Sequence, residues 1–158
     1  MMLKEWALSF SIAVLVVIFS IPGAAAEEES GDIEYRHRLE LLLGGTHEDG
    51  EDGFTSGLTY EYRITELFGV GAFVDYAAGD IDTWAAGLPF FIHPYRGLRF
   101  LLAPGIDDLG EENEFLFKVG VAYEFEFGRW TIVPEFEVNL IEGGHHSVTY
   151  GVAFGFGF

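Results

Sequence analysis

Residues 147–158, SVTYGVAFGFGF, alternate large and small side chains along the stretch. From Val148 to Phe158 every second residue is large and apolar, and the residues between them are Gly, Ala or Thr. A period of two is typical of a β-strand whose two faces meet different surroundings. The stretch therefore predicts a strand with one aromatic face and one face of almost no side-chain volume.

The N-terminus predicts export. Residues 1–26 have the pattern of a cleavable secretory signal peptide: a lysine near the start, a long apolar run and small residues up to Ala26. We expect cleavage there, a short acidic periplasmic leader at 27–33 and a single domain at 34–158. The chain has no cysteine, which excludes disulfides, thiolate catalysis and zinc–cysteine sites. Its net charge of −18 argues against a nucleic-acid partner, since phosphate binding needs a basic face.

Eight alternating stretches follow the leader, and no helical period competes with them over a similar length. Short turns alternate with connections that are mostly longer, acidic and glycine-rich. This pattern on an even number of strands predicts an all-β, eight-stranded antiparallel up-and-down barrel with both termini at the short-turn end. The predicted strands lie near 34–44, 54–64, 67–77, 81–93, 98–107, 115–127, 130–141 and 147–158.

The volume of the aromatic face decides which way it points. An eight-stranded barrel has an interior just wide enough to be filled by side chains, and this face carries too many rings to fit there. Only lipid makes an outward aromatic band stable, so the barrel is predicted to be transmembrane. Rings also gather at the strand ends, as in the two aromatic girdles of such barrels. They are Tyr35, Tyr62, Phe68, Tyr95, Trp130 and Phe158 at the short-turn end, and Phe54, Tyr76, Trp84, Phe115 and Tyr150 at the other.

The signal peptide, the amphipathic strands and the final TYGVAFGFGF resemble the small outer-membrane β-barrel proteins of Gram-negative bacteria. The resemblance covers nearly the whole mature chain. It implies a monomer in the bacterial outer membrane with both termini in the periplasm, in contact with outer-membrane lipid and lipopolysaccharide. In that family a C-terminal aromatic in an alternating last strand helps the barrel assembly machinery recognise the chain. The residues that match this assembly signal here are Tyr150, Phe154, Phe156 and Phe158.

The opposite face collects charges that must lie inside the barrel. Buried charges are tolerable only when paired and hydrogen-bonded, so we predict a polar network through a side-chain-filled lumen, with Arg residues as hubs. A catalytic carboxylate site is the alternative interpretation for four glutamates on one hairpin, although structural ion networks are commoner than such sites. The four are Glu124, Glu126, Glu135 and Glu137. The predicted network consists of Arg36, Arg38, Glu40, Glu61, Arg63, Asp75, Arg99, Lys118, Glu124, Glu126, Glu135 and Glu137.

The loops hold the candidates for metal binding. Oxygen-rich loops could bind a divalent cation such as Ca²⁺ or Mg²⁺, although solvated loops without a ligand are the simpler interpretation; no other cofactor is expected. His47, His145 and His146 become neighbours if the first and last strands pair, and Glu142 would complete a transition-metal site. The acidic loop residues are Glu48, Asp49, Glu51 and Asp52 in the first loop, and Asp107, Asp108, Glu111, Glu112 and Glu114 in the third.

One short motif suggests an enzyme. His145-x-Ser147 resembles the His-x-Ser element of outer-membrane lipid A deacylases. That resemblance implies Ser147 as nucleophile and His145 as base. Those enzymes add a carboxylate on the barrel wall, whereas the strand after Ser147 carries none and Glu142 is the only local substitute.

Three functions remain open at this point. The main hypothesis is a non-enzymatic barrel whose role is structural or lies in interaction or adhesion through its acidic loops. The second is a narrow, porin-like channel or a transporter of small apolar molecules; a wide diffusion pore needs many more strands. The third is a lipid A-modifying enzyme that uses His145 and Ser147.

Overall fold

The computed structural model describes residues 34–108 and 113–158. The predicted signal peptide and leader lie outside the described residues. No helix in the described ranges is long and apolar enough to cross a membrane. The described strands are β1 (His37–Glu48), β2 (Glu51–Arg63), β3 (Phe68–Ala77), β4 (Thr83–Gly87), β5 (Phe90–Tyr95), β6 (Leu98–Asp107), β7 (Glu114–Tyr123), β8 (Phe125–Phe127), β9 (Trp130–Ile141) and β10 (His146–Gly157).

The sheet closes on itself. All pairings are antiparallel: β3 and β6 each pair with both β4 and β5, β9 pairs with both β7 and β8, and β1 pairs with both β2 and β10. The closing ladder runs from Arg38 opposite Gly157 to Glu48 opposite Ser147. A closed sheet leaves no strand with an unpaired edge. In lipid this is required, because unpaired backbone N–H and C=O groups have no water to bond to. The predicted eight-stranded antiparallel barrel is confirmed.

Two of the eight barrel strands are each made of two segments. β4 and β5 form the fourth strand, interrupted at Leu88 and Pro89 because proline has no N–H for the ladder. The register on β3 and β6 is the same on both sides of the interruption. β7 and β8 form the sixth strand, interrupted at Glu124, whose backbone N–H donates to the carbonyl of Gly97 at 2.6 Å.

The first connection differs from its prediction. A long acidic loop was expected, but β1 and β2 continue to Glu48 and from Glu51, which lie opposite each other. Only Asp49 and Gly50 remain as the turn, both with positive φ, 47° and 92°. Two consecutive positive φ values are typical of the type I′ hairpin turn, for which Asp-Gly is a preferred sequence.

The two faces have the predicted orientation. Large apolar side chains are exposed along the outside, including Leu58, Phe100 and Ile132. Charged and small side chains are buried along the inside. The exposed girdle rings include Phe54, Trp84, Phe115, Tyr150, Tyr62, Phe68, Tyr95, Trp130 and Phe158.

The lumen is less polar than predicted, because two aromatic rings point inward. Phe73 and Phe91 are 5% and 0% exposed and belong to a buried apolar cluster. Small residues on neighbouring strands leave room for these rings: a Cβ added at Gly87 would lie 2.6 Å from Cε1 of Phe73, and Ala103 packs in the same cluster. The cluster comprises Phe73, Phe91, Leu101, Ala103, Leu116 and Ile141.

Candidate functional site

The hub of the charged lumen is Arg99 on β6. Its guanidinium group is fully buried and donates from Nη1 to both oxygens of Glu40, at 2.8 and 2.9 Å. Nη1 also donates to Glu124 at 3.2 Å, and Nη2 donates to Glu135 at 3.1 Å. The guanidinium carbon lies 5.2 Å from the centroid of the Phe91 ring. One planar, multi-donor side chain therefore binds carboxylates from three different walls of the barrel.

Arg38 extends this network towards the short-turn end. It forms ion pairs with Glu124 and, at 3.0 Å, with Glu126. The Glu126 side chain is 60% exposed, so this carboxylate lies at the wet mouth. Arg36 does not join these ion pairs. It precedes β1, is exposed, and donates to the backbone carbonyls of Arg63 and Ile64 at 3.3 and 3.2 Å.

His93 is a member of the lumen network that the sequence analysis missed. Its Nδ1 lies 2.9 Å from Nη2 of Arg63, and its Nε2 lies 2.6 Å from Oε1 of Glu61. Because Arg63 can only donate, Nδ1 must accept and Nε2 must carry the ring proton. Arg63 also pairs with Glu124 at 3.1 Å. His93 lies an even number of residues from Ala85 and Gly87 on the fourth barrel strand, and both of these point inward. This spacing could have predicted from the sequence that His93 points inward.

A second, smaller charge cluster lies nearer the loop end. Lys118 on β7 donates to Asp75 on β3 and to Glu137 on β9, the latter at 2.7 Å. All three side chains are buried or nearly so. The Lys118 ammonium group also lies 4.1 Å from the centroid of the Phe73 ring. The two charge clusters thus lie against aromatic members of the apolar cluster.

Hydroxyl and amide groups occupy the lumen at its loop end. Thr46 bonds to Thr55 at 2.6 Å and to Thr149 at 2.8 Å, which links the first, second and last barrel strands. Asn139 donates to Ser147 at 2.9 Å. This end of the lumen is therefore polar but uncharged.

The three candidate catalytic residues have separate partners. Ser147 is buried and receives its hydrogen bond from Asn139, whereas His145 is exposed and pairs with Asp49 at 2.8 Å. A Glu142 oxygen accepts a hydrogen bond from the backbone N–H of Phe115 at 3.3 Å. No described hydrogen bond joins any two of the three, so the structure does not bring them together as a triad.

The loop histidines also have partners other than each other. His47 pairs with Asp52 at 2.7 Å across the first hairpin, and His145 pairs with Asp49 in its turn. His146 begins β10 opposite Leu140. Among the described residues, the only group of three or more metal-type ligands is elsewhere, and it consists of Glu61, His93 and Glu124.

The acidic residues of the loops lie at one end of the barrel. Asp107 and Glu114 face each other across the β6–β7 ladder, and Asp108 follows with a φ of 53°. Of the predicted third-loop carboxylates, Glu111 and Glu112 lie outside the described residues. The carboxylate of Asp49 accepts a hydrogen bond from His145, which raises the pKa of that imidazole above its ordinary value of 6.5.

Comparison with known proteins rests on structure. No protein-family model matches the chain, and no curated protein does. The N-terminal β-barrel domain of Pseudomonas aeruginosa OprF superposes with a TM-score of 0.52 at 15% identity, covering 75% of this chain and 97% of that one. Ail, the attachment invasion locus protein of Yersinia pestis, gives a TM-score of 0.50 at 15% identity, covering 77% and 96%.

The chain has the fold of the small outer-membrane β-barrels. A de novo designed transmembrane β-barrel also superposes on it, with a TM-score of 0.52 at 9% identity over 75% of this chain and 94% of that one. A fold shared at such low identity carries many functions, so function must be argued from the residues of this barrel. Its last strand places three of the aromatic residues of the expected assembly signal on the outside: Tyr150, Phe154 and Phe158 are 48%, 48% and 55% exposed. The fourth, Phe156, packs between Trp130 and Phe158.

Proposed function

We propose that the protein is a non-enzymatic barrel of the bacterial outer membrane whose role is structural or lies in attachment. In this proposal the barrel anchors a set of acidic turns at the cell surface. It works as a monomer and is inserted by the barrel assembly machinery, for which the aromatic last strand is the signal. Outer-membrane lipid and lipopolysaccharide are its immediate neighbours.

The orientation of the barrel in the membrane follows from its two unlike ends. The first and last strands meet where His37 and Phe158 exchange backbone hydrogen bonds of 3.2 and 2.9 Å. The same end carries the short turns, including the one at Gly128. In outer-membrane barrels the short turns are periplasmic and the longer loops are extracellular. We therefore assign both termini to the periplasm and the acidic end to the outside.

The single observation that carries the proposal is the occupied lumen. The lumen holds the Arg99 network, the apolar cluster and the Lys118 cluster, each made of buried side chains in mutual contact. Such a filled interior favours an anchor over a conduit. Most of the charged side chains inside the barrel are also paired with one another, so they are unavailable to bind or react with a substrate.

Attachment through the loop end is favoured by charge. Carboxylates such as Asp52, Asp82 and Glu114 lie at this end, and its described turns contain no Lys or Arg. A surface rich in carboxylates can be bridged by divalent cations to the phosphates of lipopolysaccharide on a neighbouring cell. Ail, whose solved structure is similar, has a name that refers to attachment. We propose the same role for this chain.

Sedimentation of whole cells tests the proposal. Cells that express the protein should settle faster in the presence of Mg²⁺ than cells with an empty vector. The double variant Glu51→Gln with Asp52→Asn should lose much of that effect, because it removes two exposed carboxylates of the first hairpin. Glu66→Gln, at the short-turn end, is the matched control and should behave as wild type. Equal settling of expressing and vector cells would contradict an attachment role.

The same cells test the absence of enzymatic activity. Lipid A extracted from expressing and vector cells should have the same number of acyl chains. A loss of acyl chains on expression that disappears in Ser147→Ala would instead establish a lipid A hydrolase and overturn the non-enzymatic assignment.

A further inference from the structure

We propose that a groove on the outer wall of the barrel binds one glycerophospholipid of the periplasmic leaflet, with the lipid phosphate held at the short-turn end. The groove has a volume of about 590 Å³, within the range of about 300–1,000 Å³ that is typical of small-molecule sites. It crosses the second to fifth barrel strands, and we call it the Ala72 groove. Its lining includes Tyr60, Tyr62, Val70, Ala72, Leu88 and Phe90.

A small side chain between two large ones creates the groove. Ala72 points outward on β3, and Tyr60 lies opposite it on β2. The pairing of Phe73 with Gly87 places Leu88 on its other side. Tyr60 and Leu88 are 36% and 67% exposed, so they form walls on either side of a methyl group. The depression between them offers van der Waals contacts that an acyl chain can fill.

The backbone beneath the groove has paired donors. The fourth barrel strand is interrupted here, but the N–H of Leu88 donates to the carbonyl of Pro104 at 3.0 Å, and the N–H of Gly71 donates to that of Pro89 at 3.0 Å. The two prolines have no N–H of their own. A hydrocarbon chain can therefore lie across the interruption without covering an unpaired donor, which would cost free energy.

One end of the groove has polar groups that suit a lipid headgroup. The hydroxyl of Tyr60 bonds to Nδ1 of His37 at 2.7 Å, and His37 meets Phe158 at the short-turn end. The adjacent Arg36 is exposed, and its Nη1 donates to two backbone carbonyls that follow Tyr62 in the chain. A guanidinium group has three further N–H donors on Nε and Nη2, and these match the oxygens of a phosphate group.

Charge favours a phospholipid here over lipopolysaccharide. Arg36, Arg96 and Arg129 lie at the short-turn end, whereas the described turns of the opposite end contain carboxylates and no Lys or Arg. A phosphate group is therefore attracted to the end where the tyrosines of the groove lie. The groove is continuous with the exposed apolar band, so an acyl chain reaches it directly from the bilayer. This inference rests on the orientation proposed above, which places the short-turn end at the periplasmic leaflet.

Native mass spectrometry of the detergent-solubilised protein tests the site, with dioleoylphosphatidylglycerol as the probe. The wild type should bind one molecule per chain. Ala72→Phe should lower the occupied fraction at least about fivefold, because its ring would take the volume that the acyl chain fills. Ile132→Phe, at an outward position on the opposite wall that is 40% exposed, is the control and should bind as wild type. Arg36→Gln should weaken binding about threefold, the effect of losing an exposed charge pair.

Three results of this experiment would overturn the proposal. Equal occupancy in Ala72→Phe and Ile132→Phe would place the lipid elsewhere on the wall. Tighter binding of lipid A than of phosphatidylglycerol by the wild type would assign the groove to the outer leaflet. Unchanged binding in Arg36→Gln would remove the contact with the phosphate.

Photo-crosslinking tests the same site without any variant. Phosphatidylglycerol that carries a diazirine in one acyl chain, reconstituted with the wild-type protein, should label residues 70–72 and 88–90 more than the opposite wall. Labels spread evenly around the barrel would show only the ordinary lipid shell and would exclude the site. Neither measurement involves cell attachment, so a negative result here leaves the settling experiment unaffected, and the reverse also holds.

Discussion

Arg99 and Glu40 join opposite walls of the barrel through two hydrogen bonds of 2.8 and 2.9 Å. Arg99 lies on the fifth barrel strand and Glu40 on the first, so the pair spans the lumen. Both side chains are 2% exposed. Such a pair stabilises the barrel chiefly because removing either partner leaves an uncompensated buried charge.

Replacement of Arg99 should therefore be severely destabilising. Arg99→Met leaves Glu40, Glu124 and Glu135 without their shared donor, and we expect a loss of about 3–5 kcal/mol in the free energy of unfolding. Urea unfolding in detergent or lipid vesicles measures it. Arg129→Met, at an exposed turn, is the control and should change stability by less than about 0.5 kcal/mol. Equal effects of the two variants would contradict the hub role.

The Lys118 cluster makes a separable prediction. Lys118→Met alone leaves Asp75 and Glu137 as buried, unpaired carboxylates, and should destabilise the barrel by about 3–5 kcal/mol. Combining it with Asp75→Asn and Glu137→Gln removes the charges together and should recover most of that loss. The triple variant is compared with the single one by urea unfolding. If both unfold at the same urea concentration, charge burial is not what Lys118 compensates.

The last strand predicts unequal effects for neighbouring residues. Gly155 faces the lumen, where an added Cβ would meet the hydroxyl of Thr131 and lie 3.1 Å from Cγ of Glu40. Gly155→Leu should cost about 1–3 kcal/mol or more through overpacking. Phe154→Leu changes a lipid-facing side chain and should cost less. Heat-modifiable gel mobility reports the folded fraction of each variant, and the reverse order of damage would contradict the assignment of the faces.

The bond between Asp49 and His145 links two surface turns and makes them sensitive to pH. The raised pKa of His145 means that its stabilising effect is complete below about pH 6.5 and is lost as pH rises through the folded-state pKa. An NMR titration of the His145 ring should give a pKa above 6.5 in the wild type. Asp49→Asn should lower it towards 6.5, whereas Asp52→Asn, which contacts His47, should not. A His145 pKa unaffected by Asp49→Asn would show that the bond does not form.

The fold could be predicted because a period of two residues fixes each face of a strand. The large rings of Phe154 and Phe158 exclude an inward aromatic face on volume alone. The same period places Phe73 with Asp75 and Phe91 with His93 on the inner face, but it could not show that a narrow lumen accommodates both rings, since that depends on the small residues of neighbouring strands. It also could not separate a loop from a continuing hairpin around Asp49, where polar residues extend the ladder into solvent.

The charged lumen was predictable in its members but not in its pairings. Parity places Arg99 and Glu40 on the inner face, yet only the closed barrel brings the first and fifth strands together across the lumen. Parity also places His93 on the inner face, but the interruption of its strand at Leu88 and Pro89 and the proline that follows it obscure the alternation there. Arg36 was assigned to the lumen by parity, but it precedes β1 and bonds to backbone carbonyls at the barrel end.

Conductance in planar lipid bilayers tests most directly the claim that this barrel is closed by its own side chains. The purified protein, inserted at concentrations that give channels with a known porin, should produce no stable single-channel steps at neutral pH. Phe91→Ala should open space in the lumen without leaving a buried carboxylate unpaired, and serves as the positive comparison. Stable, unitary conductance steps from the wild-type protein would contradict the closed lumen and would favour a narrow channel instead.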